Sequence, residues 1–265
     1  MCATCGCSND HVNDHVNVNV NVHDHVHGGD HVHVHVNDHG GDHVHVGRRS
    51  VTLQEAVLAK NDAIAATNRA FFELEGIAAF NLVSAPGSGK TALLVALIGA
   101  LADRVSVRVI EGDQETARDA ERIRATGVPA YQINTGTGCH LDAEMLKAAI
   151  HELVPPKRSL LFIENVGNLV CPAMFDLGER AKIVVMSVTE GEDKPLKYPH
   201  MFRAARALIL TKIDLLPHLE FDVEACVANA RRINPQLRVF PVSARTGAGV
   251  APLADLLGAQ LGVRS

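Results

Sequence analysis

The stretch "AFNLVSAPGSGKTALLVAL", Ala79–Leu97, holds the reading that decides the fold. An apolar, β-type run leads into two glycines and a lysine-threonine pair, and an apolar helical pattern follows. The phosphate-loop pattern G-x-x-x-x-G-K-[ST] asks for glycine where this chain has Ser84, while Gly89, Lys90 and Thr91 fit. The chemistry tolerates that departure. Gly87 and Gly89 let backbone N–H groups curl around phosphate oxygens, and the following helix aims its N-terminus at them. Lys90 then neutralises β/γ-phosphate charge and the Thr91 hydroxyl ligates Mg²⁺. The predicted nucleotide-binding stretch is therefore Gly87, Ser88, Gly89, Lys90, Thr91 and Ala92.

Further runs of the same β-type recur along the chain at 105–111, 130–134, 159–165, 182–188, 207–211 and 237–243, separated by helical patterns. Runs this apolar, alternating with helices, predict a mostly parallel sheet covered on both faces. The pattern before the loop, from residue 50 to 76, predicts a helix with Leu53, Val57, Leu58, Ile64 and Phe71 on its buried face and Gly76 as its stop.

Two carboxylates end later strands where a magnesium site would use them. Asp113 follows "VRVIEG", and Glu164 follows "SLLFI", in Glu164-Asn-Val-Gly167 where the common form is D-x-x-G. Either could bind Mg²⁺ directly, through water, or orient the attacking water. In "LILTKIDLLP", Lys212 and Asp214 fit the last two fixed positions of the guanine motif N-K-x-D, with Thr211 replacing asparagine. A carboxylate at Asp214 accepts from the N1–H and 2-amino group of guanine, donors that adenine does not pair in that way, so GTP and GDP are the expected nucleotides. Ser243, Ala244 and Arg245 in "PVSARTG" supply the loop closing over guanine O6.

Upstream of Arg48 the character changes. Residues 1–47 hold six aspartates and no lysine or arginine, so of the formal net charge of −5 this segment carries −6 and the remainder +1. That balance predicts no basic face and no nucleic-acid partner. Eleven of the fifteen histidines also lie here: His11, His15, His23, His25, His27, His31, His33, His35, His39, His43 and His45. Nothing in the segment could seed a core, and disorder without metal is expected. In an extended chain His31, His33 and His35 share a face about 6.5 Å apart, too far for one rigid ion site. Bends at the Gly-Gly pairs would build several exchangeable sites instead. Imidazole suits Ni²⁺ and Zn²⁺ alike. The histidines are not contiguous, which disfavours a purification tag; a pH-sensing arm stays open.

Cys2, Cys5 and Cys7 place three thiols within six residues, and thiolates favour nickel, zinc and copper(I). With Met1 removed, the Cys2 α-amine would be a fourth donor for square-planar Ni²⁺; a mass spectrum retaining Met1 would exclude that. A third candidate lies within the 48–265 domain, where Cys139 and His140 close "NTGTGCH" and Cys171 follows Glu164 by seven residues. Cys171 falls in the segment that answers the γ-phosphate in nucleotide switches. Cys226 reads as a packed core residue. No apolar run approaches the roughly 20 residues of a membrane span, and the start has neither a basic nor an apolar signal region, so a cytoplasmic protein with no membrane partner is expected.

Together, "CATCGC", the histidine-rich insert, "PGSGKT", "EGD", "GTGCHLDA", "ENVGNLVCP", "EGEDKPLKYP" and "KIDLLP", in that order, resemble the hydrogenase maturation nickel-incorporation GTPases, the HypB family. The resemblance implies a P-loop NTPase of the SIMIBI type, with a histidine-rich metal-binding tail at 1–47 and a GTPase domain at 48–265. It implies a homodimer gated by nucleotide or metal, with nickel or zinc held at the intersubunit face by Cys139, His140 and Cys171. It further implies tight nickel binding by Cys2, Cys5 and Cys7, slow Mg²⁺-dependent GTP hydrolysis, a zinc-containing accessory protein and delivery of nickel to a [NiFe]-hydrogenase large-subunit precursor. A urease-maturation GTPase, a passive nickel or zinc store and a small-molecule kinase are the alternatives. The first is disfavoured by "CATCGC" and "ENVGNLVCP", the second by an otherwise unexplained nucleotide site, and the third is separated by comparing GTP with ATP binding.

Overall fold

The computed structural model describes residues 20–22, 34–36, 53–113 and 118–261. They fall into two units, Met1–Val51 and Thr52–Ser265. In the first, β1 (Val20–Val22) pairs antiparallel with β2 (Val34–Val36), setting Asn21 opposite His35. Cys2, Cys5, Cys7 and the other ten tail histidines lie outside the described residues.

In the second unit α1 (Leu53–Glu75) precedes β3 (Ala78–Ser84), α2 (Lys90–Leu101), β4 (Val107–Asp113), α3 (Arg118–Arg124), β5 (Ala130–Asn134), α4 (Ala143–Leu153) and β6 (Leu160–Gly167). Then come α5 (Cys171–Met174), β7 (Ala181–Ser187), α6 (Lys194–Lys197), α7 (Pro199–Ala204), β8 (Ala205–Thr211), a 3₁₀ turn (Ile213–His218), α8 (Val223–Ile233), β9 (Arg238–Pro241) and α9 (Val250–Ala259). Seven strands form one sheet in the order β5-β4-β6-β3-β7-β8-β9, every pairing parallel. Each predicted strand is present, displaced by at most about two residues at its ends.

Alternation along the buried strands feeds both faces. Phe80 and Leu82 of β3 pack with Phe162, Leu93, Leu97 and Leu257 under α2 and α9. On the opposite face Ala79, Ile110, Leu161 and Ile163 meet α1 and α4, while Val83, Val184, Met186 and Leu208 meet α7 and α8. Burying one Leu or Phe of this kind stabilises the fold by about 1.5–3 kcal/mol. The strand order reverses around β3, whose two neighbours are β6 and β7. In doubly wound sheets ligands bind at the carboxyl ends of the strands beside that reversal.

The first long helix corrects the expected buried face. Val57 and Phe71 are exposed and Leu58 and Ile64 are half-buried, whereas Asn61, Ala65, Asn68 and Phe72 face the core. Hydrogen bonding wins over apolarity here because each buried amide is satisfied. Asn61 donates to Asp176 O at 2.8 Å and accepts from Ala143 N at 2.9 Å. Asn68 donates to Ala143 O at 2.9 Å and Leu177 O at 3.1 Å. These bonds fasten α1 to the start of α4 and to the loop after α5.

Candidate nucleotide and metal site

At the carboxyl end of β3 the chain turns through Gly87 (φ 75°) and Gly89 (φ 91°) into α2. Both are left-handed conformations that suit glycine. Lys90 is buried and donates to Ser84 Oγ at 2.7 Å. The serine that departs from the phosphate-loop pattern therefore holds the lysine. Burial lowers the Lys90 pKa, opposed chiefly by the Glu164 carboxylate.

Thr91 Oγ1 donates to Glu164 Oε1 at 2.9 Å, while Glu164 Oε2 is buried without a hydrogen-bond partner. Glu111 lies directly opposite Glu164 in the register of β4 and β6, and its Oε2 is likewise buried and unpartnered. Burial pushes the Glu164 carboxyl up to about 7, and burial plus the neighbouring Glu164 pushes Glu111 up to about 8. Asp113 ends β4 two residues on, and its charge contributes to the Glu111 shift. Two orphaned carboxylate oxygens beside a threonine hydroxyl form a hard oxygen donor set of the kind Mg²⁺ takes.

Thr211 and Lys212, at the end of β8, rest on the loop. Thr211 Oγ1 donates to Ser88 O at 2.6 Å, and Lys212 Nζ to Gly87 O at 2.8 Å. Lys212 itself has φ 59°. Asp214 accepts from Ser243 Oγ at 2.6 Å, and the exposed Arg245 lies 3.9 Å from its other oxygen. Ala244 stands between Ser243 and Arg245, and Ala92 follows Thr91 in α2. Glu190, after β7, accepts from Ser88 Oγ at 2.5 Å and pairs with Lys194 at 3.1 Å.

Cys139, His140 and Cys171 bring their ligand atoms within 4.8 Å of one another. Cys139 Sγ is 3.1 Å from Cys171 Sγ and 3.6 Å from His140 Nδ1. Cys171 is fully buried, Cys139 and His140 are half-buried, and the imidazole packs against Phe175 with ring centroids 3.9 Å apart and ring planes tilted by 33°. Burial lowers the His140 pKa, which favours the neutral imidazole a metal requires.

Asparagines hold the two cysteine segments together. Asn168 donates to Cys139 O at 3.3 Å and accepts from Val170 N at 2.8 Å. Asn165 accepts from Leu141 N at 3.2 Å and donates to Asn81 Oδ1, and Asn81 in turn donates to Glu179. The β6 exit thus carries Glu164 toward Thr91 and Asn165 toward the cysteine loop on successive residues. At its end a Cβ on Gly167 would lie 3.1 Å from Pro86, so any side chain there would have to push the phosphate loop back by a few tenths of an ångström.

Sequence reasoning missed Glu111, Glu190, Asn165 and Asn168. Glu111 had a signal: it shares a strand face with Asp113, and the pairing of β4 with β6 sets it beside Glu164. The two asparagines are polar residues at a strand end, unmarked by any spacing.

The model of the family described as "CobW/HypB/UreG, nucleotide-binding domain" matches residues 78–241. The hydrogenase maturation factor HypB of Rhizobium leguminosarum bv. viciae is 62% identical over 202 residues, covering 76% of this chain and 68% of that protein. The protein of the same name from Escherichia coli K12 is 57% identical over 203 residues, covering 77% and 70%. The crystal structure of HypB from Helicobacter pylori in complex with nickel superposes with a TM-score of 0.70 at 39% identity, covering 76% of this chain and 95% of that one.

Proposed function

Because this chain belongs to the CobW/HypB/UreG family, and within it to the HypB hydrogenase maturation factors, we propose that it is a GTP-hydrolysing nickel metallochaperone. In this reading it stores nickel and delivers it to a [NiFe]-hydrogenase large-subunit precursor. One observation carries the reading: the single exit of β6 bears Glu164, bonded to Thr91 of the phosphate loop, and seven residues later Cys171 of the metal cluster.

The geometry supports the following roles. Gly87, Ser88 and Gly89 offer backbone donors to the β- and γ-phosphates, and Lys90 balances their charge in a buried setting where Coulomb interactions are strong. Thr91 and Glu164, with Asp113, would hold Mg²⁺, which when bound polarises the γ-phosphate and neutralises developing charge. Asp214, oriented by Ser243, accepts from the guanine edge; Lys212 lies along the base, and Ala244 and Arg245 close the loop. With no arginine assigned to the transferring phosphate, intrinsic hydrolysis is slow and a partner accelerates it.

Cys139, His140 and Cys171 take nickel or zinc as cargo, and the remaining coordination positions are filled from outside the chain. A second copy contributing the same face would make a homodimer responsive to both nucleotide and metal. Cys2, Cys5 and Cys7 bind nickel as thiolates, and the tail histidines keep a local reserve. The zinc-containing accessory protein and the hydrogenase precursor are the partners. The site of action is the cytoplasm, which accords with no described helix being long and apolar enough to cross a membrane.

The test is the Ni²⁺ affinity of the fragment beginning at Arg48, loaded with GDP or with a non-hydrolysable GTP analogue, beside its Cys139→Ala variant. A nucleotide-dependent affinity that vanishes in the variant is expected. Equal affinity in both states would overturn nucleotide gating of this cluster.

A further inference from the structure

At the opposite end of the sheet from the phosphate loop, the amino ends of β7, β8 and β9 border a cleft of about 580 Å³. Each of these adjacent strands brings an arginine to it. Arg180 precedes β7, Arg206 lies in β8, Arg238 begins β9, and Arg203 at the end of α7 adds a fourth. Local backbone geometry places one of them. Lys182 pairs with Ala205 and Ile183 with Ala207, so Arg206 is the extra residue of a β-bulge, a device that re-aims a side chain. Arg238 lies over the Phe240 ring at 5.3 Å.

The net charge near +1 outside the tail predicts no basic face, yet the fold gathers four guanidinium groups here and lines the cleft with no acid. All four are exposed, and none has an ion-pair partner among the described residues. Three nearby acids are engaged elsewhere, Asp176 by Arg69, Glu179 by Asn81 and Lys182, and Asp255 by Arg104; a fourth, the exposed Asp62, shares the adjoining cleft with Arg180 and Arg206 and makes no ion pair with either. The floor is apolar, made by Ile183, Ala207, Phe240 and Leu257.

We propose that this cleft binds an organic polyanion, a molecule bearing two or more carboxylate or phosphate groups on an apolar body. Guanidinium forks match those groups bidentately, and separated arginines select a ligand with several of them. The apolar floor favours a body with a hydrophobic surface over a bare inorganic anion. The volume lies within the roughly 300–1,000 Å³ of small-molecule sites. The cleft lies at the strands' amino ends and the nucleotide at their carboxyl ends, so the two sites are separate and binding here does not compete with GDP.

The experiment is calorimetric titration of the full-length, nickel-free, GDP-loaded protein with benzene-1,3,5-tricarboxylate, and in a second arm with a capped hexaglutamate peptide. Saturable binding that weakens with added salt is expected, reduced about tenfold or more in the double variant Arg206→Ala/Arg238→Ala. Unchanged GDP affinity in that variant shows that the fold is intact. Tighter binding of the tricarboxylate assigns the site to a free small molecule, and tighter binding of the peptide assigns it to acidic side chains of a protein. No saturable binding of either probe, or equal affinity in wild type and variant, overturns the proposal.

Discussion

The phosphate loop and the cysteine-histidine cluster sit at the same end of one sheet but are built in opposite ways. The loop is contiguous: a strand, five residues and a helix carry Ser84, Gly87, Gly89, Lys90 and Thr91, and in the proposed role its own backbone would meet the nucleotide. The cluster joins Cys139 and Cys171 from two segments 32 residues apart, held by amide side chains. A contiguous site inherits its geometry from local chain sterics, so changes to its side chains remove chemistry and leave shape. A site assembled from distant segments depends on the bonds between them, so residues that touch neither nucleotide nor metal can disturb it.

The largest effect expected from this contrast is at Lys90. Lys90→Ala removes the buried charge assigned to the phosphates and should lower the GTP hydrolysis rate by about 100- to 1,000-fold, read by phosphate release, while nickel binding at the cluster persists. Cys171→Ala should weaken Ni²⁺ binding to the fragment from Arg48 by more than about 100-fold and leave GDP affinity within about twofold. Loss of GDP binding in that variant would break the separation of the two halves. Asn168→Ala sharpens the comparison, because it removes a bond to the Cys139 carbonyl and no ligand. We expect about a tenfold loss of nickel affinity with thiol content unchanged.

The smallest effect is a pH dependence. Glu111 and Glu164 have carboxyl groups raised by burial to about 8 and about 7 from an ordinary 4.5, so the folded state holds protons that the unfolded chain has released. Their stabilising contribution is complete below about pH 4.5 and is lost as pH rises through about 7 to about 8. The metal- and nucleotide-free protein should therefore melt a few degrees lower at pH 8 than at pH 6, and Glu111→Gln should flatten that slope. A steeper slope in the variant would contradict the assignment of the raised pKa to Glu111.

The contrast between local and assembled structure also explains what the sequence could say. Apolar strand runs and the "APGSGKT" turn are local, and the sheet and loop follow from them to within about two residues at each strand end. Glu164, Lys212, Asp214 and the cysteine triad carry recognisable chemistry at recognisable places. Asn61 and Asn68 did not, because a buried amide is favourable only when partners such as Ala143 and Leu177 arrive from residues far along the chain. The arginine cleft was hidden for the same reason. Residues 180, 203, 206 and 238 meet only after three strands align and one bulges, and a sum over charges averages them away.

The burial of Cys171 carries one more consequence. An ion held by the triad as proposed would sit between the fully buried Cys171 thiol and the half-buried Cys139 and His140, and we expect an acceptor to displace the half-buried donors first. In the proposed role, handover is expected to run in a fixed sequence, with Cys171 the last tether to let go and the ion passed directly from donor to acceptor.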